Sequence, residues 1–166
     1  MIEIEVKIHG LTMDPKNNSP VILLKETASQ RALPIWIGTV EANSIATAMA
    51  GLEPPRPMTH DLLHNAILAA GYHVSRVVIT ELTDNTFYAV IHLDSDNGML
   101  ELDSRPSDAI ALAVRSHCPI FVNKRVFEQS GIDLTILENS ETASEKDEWL
   151  EMLESMDPED YSKYKM

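Results

Sequence analysis

The chain has 166 residues, of which 44% are hydrophobic and 23% charged, enough apolar material for one domain with a real core. Its net charge of −13 offers no basic surface of the kind that holds nucleic acid non-specifically, so any such role needs a local basic patch or bridging metal ions. The apolar runs are far shorter than the roughly 20 residues that span a bilayer, no charged-then-apolar leader opens the chain, and the lone Cys118 excludes an intrachain disulfide; together these read as a soluble, cytoplasmic protein.

Ile2, Ile4, Val6 and Ile8 alternate with polar residues, the period of a half-buried strand. The turn formers from Asp14 to Pro20 and the apolar Val21 to Leu24 complete a hairpin, and Ala32 to Ile37 makes a third strand ending at Gly38. From Val40 the period becomes helical, with Ala42, Ile45, Ala46, Met49 and Ala50 on one small, flat face and Gly51 as a stop. Glu53-Pro54-Pro55-Arg56-Pro57 is a stiff loop, since its prolines fix φ and remove amide donors.

Thr59 is placed to cap a second helix through Leu62, Leu63, Ala66, Ile67 and Ala70 to Gly71, with Asp61 in its first turn. Strands are expected at Val74–Leu82 and Thr86–Leu93, joined at Thr83-Asp84-Asn85, and at Met99–Leu102 after a turn from Asp94 to Gly98. An Ala-rich helix runs from Pro106 to about Ser116, with proline in its first turn. A buried strand, Pro119–Val122, and a helical turn, Lys124–Gln129, close the body near Leu137. Cys118 beside that strand reads as a buried structural thiol. Residues 138–166 hold ten acids and three bases, −7 against −6 for the rest, and Trp149, Leu150, Leu153 and Met156 form an apolar stripe there. The expectation is an α+β fold: one compact domain over residues 1–137, a mixed, mostly antiparallel sheet flanked by helices, then an acidic linker and amphipathic helical tail over 138–166.

Polar chemistry gathers at two helix starts, Arg56 to Asp61 and Asp103 to Asp108. A faint echo between Ile35–Ala46 and Leu100–Ala111 places Glu41 and Asp108 at comparable corners of two units. If Glu41, Asp103 and Asp108 converged, with Asp61 near them, their hard oxygens would take Mg²⁺ or Mn²⁺ and activate water; helix capping explains each acid more simply. His60 suits a general acid/base or ligand role, or a bond to a neighbouring loop, and His64 lies one turn on. Arg56 and Arg105 suit bidentate phosphate contacts, or local bridges from Arg105 to Asp108 or Asp103 and from Arg56 to Asp61. Ser104 and Ser107 read as caps, and there is no Walker loop, dinucleotide fingerprint, nucleophile elbow or zinc cysteine pattern.

Three ordered blocks, Leu33-Pro34-Ile35-Trp36-Ile37-Gly38 with Glu41-Ala42, then Arg56 to Leu63, then Asp103 to Ala113, resemble the bifunctional nuclease domain family over roughly residues 1–135. The resemblance implies a compact α+β domain, a homodimer, and nuclease action on DNA and RNA. It carries Glu41, Arg56, Thr59, His60, Asp61, Asp103, Arg105, Ser107 and Asp108 over as motif positions without roles. The reading is therefore a divalent-metal-assisted nuclease in which His60, Asp61, Asp103 and Asp108 are catalytic, Arg56 and Arg105 hold phosphate, and Glu41, Asp103 and Asp108 hold metal. The alternative is a non-catalytic homodimeric binding or regulatory module whose acidic tail contacts a protein partner.

Overall fold

The computed structural model describes residues 1–138; the expected acidic tail helix with Trp149, Leu150, Leu153 and Met156 lies outside the described residues. Eight strands, β1 (Glu3–Asp14), β2 (Ser19–Glu26), β3 (Arg31–Trp36), β4 (His73–Thr83), β5 (Thr86–Ser95), β6 (Gly98–Ser104), β7 (Ile120–Asn123) and β8 (Ile132–Asp133), form one sheet in the order β6-β5-β4-β7-β1-β2-β3-β8. The helices are α1 (Thr39–Met49), α2 (Thr59–Ala69), α3 (Pro106–Ser116), α4 (Lys124–Ser130) and the short α5 (Thr135–Glu138). The α+β class and mixed sheet match the expectation, and among the described residues only β4 and β7 run parallel.

The hairpins follow their turn residues: Asp84 and Asn85 both adopt positive φ, 50° and 58°, joining β4 to β5, as a two-residue connection that matches strand twist requires. β1 runs past Ile8 to Asp14 because a register shift between Ile8 and Gly10 lets the strand bend and continue along β2. One core cluster joins Ile22, Leu24 and Leu33 to Val77, Phe87 and Ile91 across the sheet. Helix α3 lies in it: Ala109, Ile110, Ala111 and Leu112 have no exposed surface, and burying each of the larger aliphatics contributes about 1.5–3 kcal/mol. Its alanines let α1 and α2 approach closely while its other side rests on β4 and β5.

The phase of α1 differs from the expected one. Glu41, Ala42 and Ile45 are buried, whereas Ala46, Met49 and Ala50 face solvent. A carboxylate has taken an inward position because it meets a half-buried guanidinium, that of Arg105, there. At the far edge of the sheet, β6 is exposed along almost its whole length.

Candidate functional site

The helix starts of α1, α2 and α3 meet over the sheet, and their polar side chains form one continuous network. Arg105, the N-cap residue of α3, donates from Nη1 to Glu41 Oε1 at 2.9 Å, from Nε to Asp108 Oδ2 at 2.7 Å, and from Nη2 to Asp108 Oδ1 at 3.1 Å. His60 Nε2 lies 2.7 Å from Asp108 Oδ1, and His60 Nδ1 lies 2.8 Å from Ser44 Oγ. Arg115, at the far end of α3, donates to Ser44 Oγ at 3.1 Å, to the Ser44 carbonyl at 3.3 Å and to Asp61 Oδ1 at 2.7 Å. Asp61 Oδ2 in turn accepts from the Met58 amide at 2.9 Å, steadying the start of α2.

Spacing explains the convergence. Glu41 and Ser44 are three apart on α1, and Asp108 and Arg115 are seven apart on α3, so each pair shares a helix face. The comparable corners expected of Glu41 and Asp108 are filled by the same guanidinium. Asp108 sits in the first turn of α3, but its oxygens go to His60 and Arg105, so the capping explanation of this acid gives way. Thr59 is not the N-cap of α2: Met58 takes that place, and Asp61 supplies the side-chain contact. Ser104 donates to the Ala89 carbonyl of β5.

Burial grades across the network. The side chains of Glu41, His60 and Arg115 are 10%, 11% and 9% exposed, while Arg105, Asp108 and Asp61 are 26%, 25% and 26% exposed, so the network meets solvent at the Arg105–Asp108 pair and again at Asp61. For Asp108, burial works to raise the carboxyl pKa, but the hydrogen bonds from His60 and Arg105 and their charge outweigh it and hold the group down at about 2. Asp108 correspondingly raises the Arg105 guanidinium, against burial and with help from Glu41. Arg115 and then the Met58 amide lower Asp61, and burial followed by the charge of Arg115 lowers His64. His64 makes no two-histidine ligand face with His60, whose nitrogens are both engaged.

Two expected members stand apart. Asp103 is exposed on β6, where it pairs with Val90 in register, and Arg56 is exposed in the proline loop, with no hydrogen bond or ion pair from its side chain among the described residues and no bridge to Asp61. The carboxylates expected to hold a metal, Glu41, Asp103 and Asp108, do not assemble as ligands. Two of them turn onto Arg105, and among the described residues no three His, Cys, Asp or Glu side chains are placed to hold an ion. Ser44 and Arg115 escape a reading of the sequence because a mid-helix serine and a last-turn arginine look like solvated positions; their spacing from Glu41 and Asp108 was the available signal. Cys118 sits away from the network with its thiol pushed up to about 11 by burial, which leaves it unreactive as a nucleophile.

Gly38 shows how closely the network is fitted, because a methyl group there would run into the Glu41 carboxylate. Gly38→Ala is expected to cost about 1–2 kcal/mol by pushing that carboxylate off Arg105. The check is a thermal-melt double-mutant cycle with Glu41→Gln, in which the cost shrinks if the carboxylate is its cause.

Residues 22–135 match the family model described as the bifunctional nuclease domain. An uncharacterized protein of Mycobacterium tuberculosis is 40% identical over 162 residues, covering 95% of this chain and 97% of its own length. Bifunctional nuclease 1 of Oryza sativa subsp. japonica is 27% identical over 139 residues, 82% of this chain and 42% of its own. Bifunctional nuclease 1 of Arabidopsis thaliana is 31% identical over 117 residues, 68% of this chain and 36% of its own.

Proposed function

Because the chain belongs to the bifunctional nuclease domain family, we propose that it hydrolyses phosphodiester bonds of DNA and RNA where α1, α2 and α3 meet. The observation that carries this reading is the 2.7 Å contact between His60 and Asp108 beside a partly open Arg105. A carboxylate that stays ionised holds the imidazole by one nitrogen and stabilises the cation formed when the ring takes a proton from an attacking oxygen. Three carboxylates, Glu41, Asp61 and Asp108, face two guanidiniums, Arg105 and Arg115, so the network is one negative charge in excess while His60 is neutral.

Arg105, a quarter of whose side chain meets solvent, supplies positive charge toward a phosphate at this end of the network, and Arg56, four residues before His60, adds a second charge from the loop. Asp61 acts on Arg115 and the start of α2. Asp103, exposed on β6, takes no part in this scheme. A bound Mg²⁺ or Mn²⁺ does not fit the network: its carboxylates already carry guanidinium and imidazole partners, and a cation at Asp108 would have to displace Arg105 and His60. No step is routed through a metal.

The test is cleavage of single- and double-stranded DNA and RNA by homogeneous protein in the presence of a chelator. Cleavage is expected and is expected to fall about 100-fold or more in His60→Gln; a residue of activity identical in wild type and variant would mark a contaminant and remove the proposal. Arg56→Ala is expected to raise KM about 10-fold with little change in kcat, since it removes a binding charge and leaves the proton-transfer groups in place. Its KM should also depend less steeply on salt.

A non-catalytic binding module has one observation in its favour, that the charged groups of the network are saturated within the protein. Assembly with a second copy is proposed alongside either reading. Leu62, Leu63 and Leu68 on α2 and Leu100 and Leu102 on β6 stand 40–61% exposed, apolar side chains that a second copy would cover. Sedimentation of the wild type against Leu62→Glu tests this, with a monomer expected for the variant.

A further inference from the structure

The network contains a hydroxyl that neither the family match nor the motifs single out. Asp108, ionised with its carboxyl at about 2, can only accept, so the His60 nitrogen 2.7 Å away, Nε2, carries a hydrogen. Whenever the ring is neutral, Nδ1 is then a lone pair, and it faces Ser44 Oγ at 2.8 Å. Arg115 Nη2 donates to the same Oγ at 3.1 Å, and because a guanidinium cannot accept, the Ser44 hydrogen is free to point at Nδ1. The result is a hydroxyl, a base and a carboxylate in sequence, with distances of 2.8 Å and 2.7 Å. That is the arrangement by which a histidine activates a serine, recognised by geometry and roles and not by order in the chain. Here the ring is used the other way round from the usual assignment, with Nδ1 toward the hydroxyl and Nε2 toward the carboxylate.

Resting on the nuclease reading above, we propose that Ser44 is the nucleophile of this site and that cleavage passes through a phosphoserine diester. In the first step Ser44 Oγ attacks phosphorus in line. The Oγ–P bond forms, the P–O bond to the departing nucleotide breaks, and the Ser44 proton passes to His60 Nδ1 and on to the leaving oxygen. In the second step water attacks the same phosphorus, His60 takes its proton, the P–Oγ bond breaks, and the proton returns to Ser44. One water is consumed and no oxidant or metal is needed. Arg115 stabilises the negative charge that builds on Oγ, and Asp108 the imidazolium. Ser44 is half-buried, which limits water at the hydroxyl while leaving it reachable.

Two measurements on the full chain test this. A fluorophosphonate probe should form a single adduct, mapped by mass spectrometry to Ser44, about 100-fold faster in wild type than in His60→Gln, with near-ultraviolet circular dichroism confirming that both are folded. Acid quenching during oligonucleotide cleavage should trap a protein–oligonucleotide species that Ser44→Ala lacks. If Ser44→Ala does not fold, Ser44→Cys keeps the position filled and should lose the fluorophosphonate adduct. Wild-type cleavage by a folded Ser44→Ala, or labelling at the same rate without His60, overturns the assignment and leaves the nuclease reading standing. Labelling of Ser44 in a protein that cleaves no nucleic acid supports Ser44 as the activated nucleophile and overturns the nuclease reading together with the phosphoserine diester that rests on it.

Discussion

Exchanging Asp108 for asparagine should lower kcat for cleavage by about 10³-fold or more while the chain remains folded. The amide keeps the shape of the carboxylate and can still accept one hydrogen bond, but it removes the charge on which both His60 and Arg105 rest. A neutral partner leaves the imidazolium of the transition state uncompensated, and it permits the other ring tautomer, which would point a hydrogen at Ser44. KM should change little, because Arg105 keeps Glu41 as a partner and stays in place. Single-turnover cleavage with saturating protein isolates the chemical step. An unchanged rate there would detach His60 and Asp108 from the reaction altogether.

The second large effect is on stability. Arg105→Ala is expected to cost about 3 kcal/mol, because it strands Glu41, only 10% exposed, without its cation and leaves Asp108 with His60 alone. For a chain of this size that is a fall of about 10 °C in Tm. Acid titration gives an independent reading of the same ion pairs. The carboxyl of Asp108 lies at about 2 in the folded protein against 3.8 ordinarily, so its contribution is complete above the unfolded value and is lost as pH falls through the folded one. With the side chain a quarter exposed, the wild type should lose about 2 kcal/mol from this group between pH 4 and pH 2. Arg105→Ala should show a flatter acid limb, not a flat one, since His60 still lowers the group. Superimposable acid limbs would exclude Arg105 as a source of the shift.

Much of this architecture can be read from residue order alone. Alternation in β1, the Asp84-Asn85 turn and the proline loop before α2 act locally, and local signals survive in one dimension. The parallel pairing of β4 with β7 does not, because nothing in either strand names its neighbour across the sheet. Nor does β8, whose two residues are too few for a period. At the site, Glu41, His60, Arg105 and Asp108 were recognisable as polar residues at helix starts, and they do meet. Asp103 and Arg56 carried the same signal and fall outside, since adjacency in sequence fixes neither the side a strand residue faces nor the direction of a loop arginine. The phase of α1 is not legible either: apolarity favours Ala46 and Met49, but the pairing of Glu41 with Arg105 decides which side turns inward.

Asp103 keeps a use once it is separated from the chemistry. It lies with Glu101 on one face of β6, an exposed border strand whose outer backbone groups would otherwise offer a template to another chain. In an antiparallel approach of two such borders, these carboxylates would confront one another across the new seam, and like charges set opposite each other repel. The acidity that makes this protein an unusual candidate for handling nucleic acid thus sets a charge barrier along its open border, where an uncharged strand would invite fibrous aggregation.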